Sequence, residues 1–500
     1  MSGESFVLTI DQGTTSTRAI LFDRESRARA TAQIPLTQVY PAPGQVEHEP
    51  EEIWRSVLQV GREVLSGTSP KSVACLGIAN QRETTVVWER ATGKPLANAI
   101  VWQDRRTAPL CAELAQDGWG AHVAEATGLV IDPYFSATKL AWLLAHVPGL
   151  GARARAGEVC FGTIDSFLLF RLTGGRLHAT DASNAARTML YDIRSGQWDD
   201  RLLDRLAVPR AMLPEVRDSQ GDFGHTELEH FGASIAITGV AGDQQAAAYG
   251  QACFRPGMLK ATYGTGCFVL ANTGAEKVAS ATRMLSTILH QLEGRRAYAL
   301  EGAIFMAGAT VQWLRDSLGL IATAAESDAL AQAADPNSGV YLVPAFQGLG
   351  APFWDARARA AILGLSRAAS KADLVAAGLE AVAFQTRDLL TAMRQDMAVS
   401  GIPSLSALRV DGGMTGNAWL MQRLADILGQ RIEIARNPET TALGAAYHAG
   451  QAVGFFGDVG ELEKAWVPAR EFEPKMSETE REARYGGWLE AVARVRSHGA

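Results

Sequence analysis

The chain has 500 residues, 47% of them hydrophobic, and a formal net charge of -7. That length suggests roughly two to four domains with ample cores. The acidic balance, with no basic stripe, argues against a nucleic-acid partner, and no apolar run approaches the length of a bilayer span, which argues against membrane insertion. Five cysteines, Cys75, Cys111, Cys160, Cys253 and Cys267, are scattered and never in CxxC spacing. They read as reduced, buried thiols of a cytoplasmic protein, not a disulfide or zinc framework. The start, Met1 to Ser5, is polar and carries an acid, so it does not read as a secretory leader.

In chain order, Phe6 to Phe22 places two apolar runs around the polar turn Asp11-Gln12-Gly13-Thr14-Thr15-Ser16. The pattern predicts a β-hairpin, with Gly13 supplying the turn conformation. The turn gathers hydroxyls and backbone N–H groups around one acid. It reads either as an ordinary hairpin tip or as a phosphate cradle whose acid holds Mg²⁺. A third strand follows at Arg29 to Pro35. A helix is expected over Glu49 to Leu65, with Ile53, Val57, Val60 and Val64 on one face and acids in its first turn. Val73 to Ala79 is a buried strand that ends in Asn80-Gln81-Arg82-Glu83. Open α/β sheets bind ligands at such carboxyl ends. Short strands at Thr84 to Trp88 and Ala99 to Val101 follow, the second leading into Trp102-Gln103-Asp104-Arg105.

Residues 107 to 235 read as a more helical insertion walling one side of a cleft. Helices are expected at Lys139 to Leu144 and Ile164 to Leu172, and a loop over Gly174 to Ala186. Ile235 to Val240 is a strand ending in Ala241-Gly242-Asp243-Gln244-Gln245, before a helix over Ala246 to Gln251. Near residues 250 to 256 the plan restarts. Met258 to Thr262, the turn Tyr263-Gly264-Thr265-Gly266 and Cys267 to Ala271 repeat strand, turn and strand. Further strands are expected at Met284 to Leu289, Ala297 to Leu300 and Leu408 to Val410. The last ends in Asp411-Gly412-Gly413-Met414-Thr415-Gly416-Asn417. Helices are expected at Phe305 to Leu318, at Lys371 to Val399, from the turn ending at Asn417 to Leu428, and at Thr441 to Val453, where small residues would let the helix pack closely on a sheet. The tail after Glu471 reads as one amphipathic surface helix. The implied architecture is α/β, with two domains, 1–251 and 252–500, and their turns facing across a central cleft.

No P-loop, dinucleotide fingerprint, H-E-x-x-H or G-x-S-x-G is present. Five polar turns at strand ends remain, which suit phosphoryl transfer. That reaction needs a phosphate cradle, a metal held by acids and a base near the acceptor hydroxyl. Asp11 reads as a metal ligand. Asp243 reads either as that base or as a helix N-cap. Arg82-Glu83 reads either as a donor–acceptor pair for a small polyol or as a solvated turn. Trp102 and Phe268 read either as walls for a carbon skeleton or as core aromatics.

Taken in order along essentially the whole chain, these motifs resemble the FGGY family of carbohydrate kinases. The resemblance implies an actin-like fold of two ribonuclease-H-like domains and, because of Arg82-Glu83 and Trp102, a branch acting on glycerol rather than xylulose, ribulose or gluconate. It implies transfer of the ATP γ-phosphoryl to the 3-hydroxyl of glycerol, with ATP as substrate, Mg²⁺ as cofactor and a homodimer or homotetramer. Carried over by motif, Arg82, Glu83, Tyr134, Asp243 and Gln244 resemble the glycerol-binding set, with Trp102 and Phe268 as its walls. Asp243 resembles the general base, and Asp11 and Asp243 the acids around Mg²⁺. Thr14, Thr15, Ser16 and Arg18 resemble the first phosphate turn and Thr265 the second. Gly308, Gln312, Gly413 and Asn417 resemble the nucleotide contacts, placing phosphate and glycerol handling in the first domain and nucleotide binding in the second. A kinase of another polyol or ketose, or an actin-fold ATPase without a polyol pocket, are the competing readings. The stretch Glu227-Leu228-Glu229-His230-Phe231-Gly232-Ala233-Ser234 lacks the Gly-Gly pair and Arg of relatives controlled by fructose 1,6-bisphosphate. Glu229 stands where relatives activated by phosphohistidine carry their His. His230 is therefore expected to be a partly exposed surface residue.

Overall fold

The structure, a computed structural model, describes residues 4–403 and 407–497. Of the polar N-terminal stretch, Met1 to Gly3 lie outside the described residues. The chain divides into two compact units. One comprises Met1–Ala252, Ser286–Tyr298 and Glu439–Ala465, and the other Cys253–Leu285, Ala299–Pro438 and Trp466–Ala500.

The first unit is built on a five-stranded sheet in the order Ile237–Gly242, Val73–Asn80, Phe6–Gln12, Ser16–Phe22, Ala28–Pro35. Phe6–Gln12 and Ser16–Phe22 form the expected antiparallel hairpin, with Asp11 opposite Arg18 and Gln12 opposite Thr17. Val73–Asn80 runs parallel to Phe6–Gln12, and Ile237–Gly242 parallel to Val73–Asn80. Gln12, Asn80 and Gly242 align in register. Three carboxyl ends therefore open at one edge, and the polar residues just beyond them share it.

Alternation along the strands sorts the two faces. Phe6, Leu8, Ile10, Leu76 and Ile78 join a core with Ile53, Val57, Val60 and Val64 of the Pro50–Leu65 helix. Over the other face lies the Thr440–Ala452 helix, seated on glycines. A Cβ on Gly77 would stand 2.3 Å from the Ala445 carbonyl oxygen, and one on Gly239 2.4 Å from the Ala449 nitrogen. The small-residue helix expected over 441–453 packs on the sheet as its composition implies.

In the second unit, five strands of the sheet follow the order Cys267–Gly274, Leu259–Tyr263, Leu408–Asp411, Ile432–Ala435, Pro468–Phe472. Leu259–Tyr263 pairs antiparallel with Cys267–Gly274 and parallel with Leu408–Asp411. The plan of the first unit recurs: an antiparallel hairpin whose first strand has a parallel neighbour. Behind it runs the 29-residue helix Lys371–Val399, opened by a reciprocal capping box between Ser370 and Asp373.

Four local expectations change. Gly13 does not adopt a left-handed backbone; its N–H instead closes the turn onto the Ser16 carbonyl at 3.0 Å. The stretch 174–186 is not all loop. It contains the strand Ala179–Asp181, paired in parallel with Glu215–Arg217, and the short helix Ala182–Ala185. The Asp181 side chain caps that helix, so a polar residue that suggested a loop starts an element instead. The helix expected from Phe305 begins at Gly308, because the preceding strand continues to Ile304. His230 is not at the surface. It is 8% exposed, with its ring edge-on to Trp54 at 5.1 Å and its Nε2 3.3 Å from the Arg171 carbonyl.

All five cysteines are buried, as expected. Among the described residues, no helix is long and apolar enough to cross a membrane.

One buried acid of the long helix gives the second unit a pH dependence. Asp388 accepts from the Tyr485 hydroxyl at 2.6 Å and from the Trp488 indole at 2.9 Å. Burial nevertheless pushes its carboxyl up to about 7, against those hydrogen bonds and the Arg387 charge. The folded form thus holds a proton that the unfolded form releases near pH 4. Its contribution to stability is full below pH 4 and is lost as pH rises toward 7. We expect Asp388→Asn to flatten the decline of unfolding free energy between pH 5 and 7 by up to about 1.4 kcal/mol per unit. Urea titrations followed by far-ultraviolet circular dichroism at each pH measure this. Parallel wild-type and variant curves would refute it.

Candidate active site

The edge of the first sheet collects most of the expected polar residues. Asp243 is not a cap. Gly242 holds the N-cap position and Asp243 opens the helix Asp243–Gly250, where the helix dipole favours an acid. Its Oδ1 accepts from the Gln244 backbone at 2.7 Å and lies 3.2 Å from Arg82 Nε. Gln244 Nε2 donates to Asp243 Oδ2 at 3.3 Å. The Arg82 side chain is 2% exposed, whereas that of Asp243 keeps 29%. The acid therefore remains reachable above a buried cation. Arg82 also donates to the Tyr134 hydroxyl at 3.4 Å, and the Tyr134 ring stands edge-on to Trp102 at 5.6 Å. Arg82, Glu83, Tyr134, Asp243, Gln244 and Trp102 thus converge, with alternating charge and two aromatic walls.

Glu83 occupies a left-handed backbone conformation, φ 60°, which is unfavourable for a side chain of this kind. Its carbonyl accepts from Ser136 Oγ at 2.8 Å and from Thr85 Oγ1 at 3.1 Å. These bonds hold the turn that lets adjacent Arg82 and Glu83 serve one pocket. The loop carrying Tyr134 is held by Lys139, fully buried, which donates to the carbonyls of Pro133 and Tyr134. Burial pulls its ammonium down to about 8, against Asp104, Asp132 and Glu83, which favour the charge.

The hairpin turn is wired to this pocket. Trp102 Nε1 donates to Thr14 Oγ1 at 2.8 Å, and the Trp102 backbone N–H donates to Thr84 Oγ1 at 3.3 Å. Thr84 donates to Gln81 Oε1 at 2.8 Å, and Gln81 Nε2 returns to the Gly13 carbonyl at 3.2 Å. Ser16 Oγ accepts from Gln33, which also accepts from Arg18 at 3.0 Å. Arg18 pairs with Glu439, at the start of the Thr440–Ala452 helix. Asp11 opposes Arg18 across the hairpin. Burial, first, pushes the Asp11 carboxyl up to about 7, Arg18 opposes this, and repulsion from Asp243 and Glu439 adds to it. A divalent cation would relieve that repulsion, so the donor chemistry of Asp11 and Asp243 fits Mg²⁺. Among the described residues no three or more His, Cys, Asp or Glu side chains form a metal cluster. Phosphate or water oxygens would complete such a shell.

Thr265, Phe268, Gly308, Gln312, Gly413 and Asn417 belong to the second unit. There the turn closes with Gly264 N–H to the Gly266 carbonyl at 2.9 Å, and Gly308 N–H reaches the Gly264 carbonyl at 3.0 Å. A Cβ on Gly308 would stand 2.6 Å from the Gly264 oxygen. On Gly412, with φ 93°, one would stand 2.4 Å from the Tyr263 oxygen. The two glycine turns and the Gly308 helix start therefore meet at backbone contact. Phe268 is the second residue of the strand after the turn, opposite Thr262. Gln312 is exposed one turn beyond Gly308. Asn417 caps the Ala418–Leu428 helix through Leu420 N–H and donates to Ser327 at 3.1 Å.

Residues 6–250 match the N-terminal domain of the FGGY family of carbohydrate kinases, and residues 259–453 match its C-terminal domain. The chain belongs to the FGGY family of carbohydrate kinases. Among FGGY relatives, the chain is 57% identical to the glycerol kinase of Methylobacterium nodulans, over 97% of each protein, and 55% identical to that of Bradyrhizobium diazoefficiens, over 98% of each. Among solved structures, the Plasmodium falciparum glycerol kinase with ADP superposes with a TM-score of 0.92 at 37% identity, over 98% of each chain. A gluconate kinase from Lactobacillus acidophilus, 21% identical, has a TM-score of 0.89 and shares the fold. The α/β fold with two sheet-bearing units is therefore that of the FGGY kinases.

Sequence reasoning missed the residues that hold this FGGY site in place: Ser136, Lys139, Asn184, Arg187 and Glu439. Asn184 exchanges two amide hydrogen bonds with Asn80, at 2.9 and 3.0 Å. Arg187 follows a run of small residues, and an isolated Arg in such a run was the available signal.

Proposed function

We propose that the protein is a glycerol kinase, transferring the γ-phosphoryl of ATP to the 3-hydroxyl of glycerol to give sn-glycerol 3-phosphate, the entry step of glycerol catabolism. The observation that carries this reading is the alternating arrangement of a reachable Asp243 and the buried Arg82 and Glu83 beside Tyr134 and Trp102. It can satisfy a small, uncharged polyol by donating and accepting at adjacent points. The whole-length relatives named above support the same substrate.

In this reading Arg82, Glu83, Tyr134 and Gln244 hold the hydroxyls, and Trp102 and Phe268 cover the carbons. Asp243 accepts the proton of the attacking hydroxyl through a carboxylate oxygen oriented by Arg82 and the Gln244 N–H. Thr14, Thr15, Ser16, Arg18 and Thr265 take the phosphate oxygens, and Gly308, Gln312, Gly413 and Asn417 the rest of the nucleotide. Asp11 and Asp243 would hold Mg²⁺, which when bound supplies counter-charge to the phosphates. Five scattered, buried cysteines with no CxxC spacing support a reducing, cytoplasmic setting. A homodimer or homotetramer is the assembly expected of such a kinase.

A coupled assay of ADP release across glycerol, dihydroxyacetone, erythritol, xylulose and ribulose tests the substrate. Turnover of a ketose with none of glycerol would overturn the reading. Arg82→Ala should raise the glycerol KM about 100-fold, because partners of a buried charged donor are left unpaired. An unchanged KM would move the polyol elsewhere.

A further inference from the structure

Glu83 lies between two guanidinium groups at unequal distances. Its Oε1 accepts from Arg187 Nε at 2.6 Å, while Arg82 Nε stands 3.9 Å from the same oxygen. Arg82 Nε is closer to Asp243, at 3.2 Å. Along the row Asp243, Arg82, Glu83, Arg187 the charges alternate. Arg187 is fully buried, and its guanidinium faces the rings of Tyr134 at 5.7 Å and Phe135 at 5.5 Å. It is separated by one residue from the end of the short helix Ala182–Ala185, whose Asn184 is locked to Asn80 at the strand end. Arg187 thus touches two of the expected polyol contacts while belonging to none of the motifs that suggested them.

We propose that Arg187 is the positioning residue of the polyol pocket, drawing the Glu83 carboxylate away from Arg82 so that both stay set for the substrate. The proposal rests on Arg82, Glu83 and Tyr134 being the glycerol contacts. A buried carboxylate needs a cation, and without Arg187 the adjacent Arg82 is within a small side-chain movement of it. Closing that pair would turn Arg82 from Asp243 and Tyr134, and Glu83 from the ligand. The guanidinium suits the task better than an ammonium, because it offers a rigid fork to a carboxylate while its flat face lies against aromatic rings. A buried ion pair of this kind is weak support for stability in itself. A role in setting the pocket explains why the two opposed charges are retained beside it.

The test is steady-state kinetics of Arg187→Met and Arg187→Lys, alone and with Glu83→Gln, with thermal melts of each. We expect Arg187→Met to raise the glycerol KM about 30-fold with the ATP KM within about twofold, and Arg187→Lys to raise it about fivefold. In the Glu83→Gln background, Arg187→Met should add less than about threefold, because no anion remains to be redirected. A folded Arg187→Met with the wild-type glycerol KM overturns the proposal. So does its full effect recurring in the Glu83→Gln background. Should Arg187→Met fail to fold, Arg187→Lys decides: an unchanged glycerol KM, or an equal rise in both KM values, overturns it. Wild-type protein that does not phosphorylate glycerol would sink the function itself. Glycerol turnover that responds to Arg82→Ala but not to Arg187 sinks only this inference.

Discussion

Asp243→Asn should lower kcat by about 10³-fold, roughly 4 kcal/mol of transition-state stabilisation, while glycerol still binds. The amide keeps the shape of the carboxylate and can still accept from the Gln244 N–H, which sits at 2.7 Å. What it loses is the ability to take the hydroxyl proton. Because Asp243 is also a proposed Mg²⁺ ligand, the two roles need separating. A loss of metal affinity is recovered by raising Mg²⁺, whereas a loss of the base is not. We expect at most a few-fold recovery at saturating Mg²⁺. A kcat within tenfold of wild type would remove the base role, and full recovery with Mg²⁺ would reassign Asp243 as a ligand alone. Titration of glycerol by calorimetry checks that binding persists.

The second large effect is structural and reaches the site through one contact. The helix that begins with Asp243 lies directly on the Thr440–Ala452 helix. A Cβ on Gly444 would stand 1.8 Å from the Ala246 carbonyl oxygen, and one on Gly250 2.1 Å from that of Thr440. Backbone on both sides leaves nothing flexible to yield. Gly444→Ala, the smallest possible change, should therefore cost about 3 kcal/mol or more, at the upper end for overpacking. In a unit of this size that lowers Tm by about 5 °C or more. Relief of the clash requires the Asp243 helix to move, so kcat should fall as well, even well below the new Tm. A melt within 2 °C of wild type would show that the helices separate easily.

The features readable from the amino acids were those with a local cause. The hairpin around Asp11, the strand ends at Asn80 and Gly242, and the restart at Met258 followed from alternation and from Gly and polar punctuation. The site was readable where its residues sit in those turns. Arg82, Glu83 and Asp243 stand at strand ends, and their shared edge follows from parallel register. What escaped depended on distant partners. Glu83 at positive φ is unreadable without Ser136, 53 residues away, to hold its carbonyl. His230 was expected at the surface because it matches no regulatory motif, and it is covered by Trp54 and Arg171 from elsewhere in the chain. Gly13 looked like a conformational requirement, yet its neighbour across the turn is simply the Ser16 carbonyl.

The hydrogen-bonded circuit from Thr14 through Trp102, Thr84 and Gln81 back to Gly13 bears on how this enzyme could be redesigned. Trp102 is the obvious residue to trim for admitting a bulkier alcohol. The same indole N–H steadies a hydroxyl in the turn proposed to take the triphosphate. A variant with a wider pocket would therefore also loosen its grip on the nucleotide, and water would compete as acceptor. Broader substrate range and wasted ATP would be gained together, unless a replacement at position 102 keeps a donor aimed at Thr14.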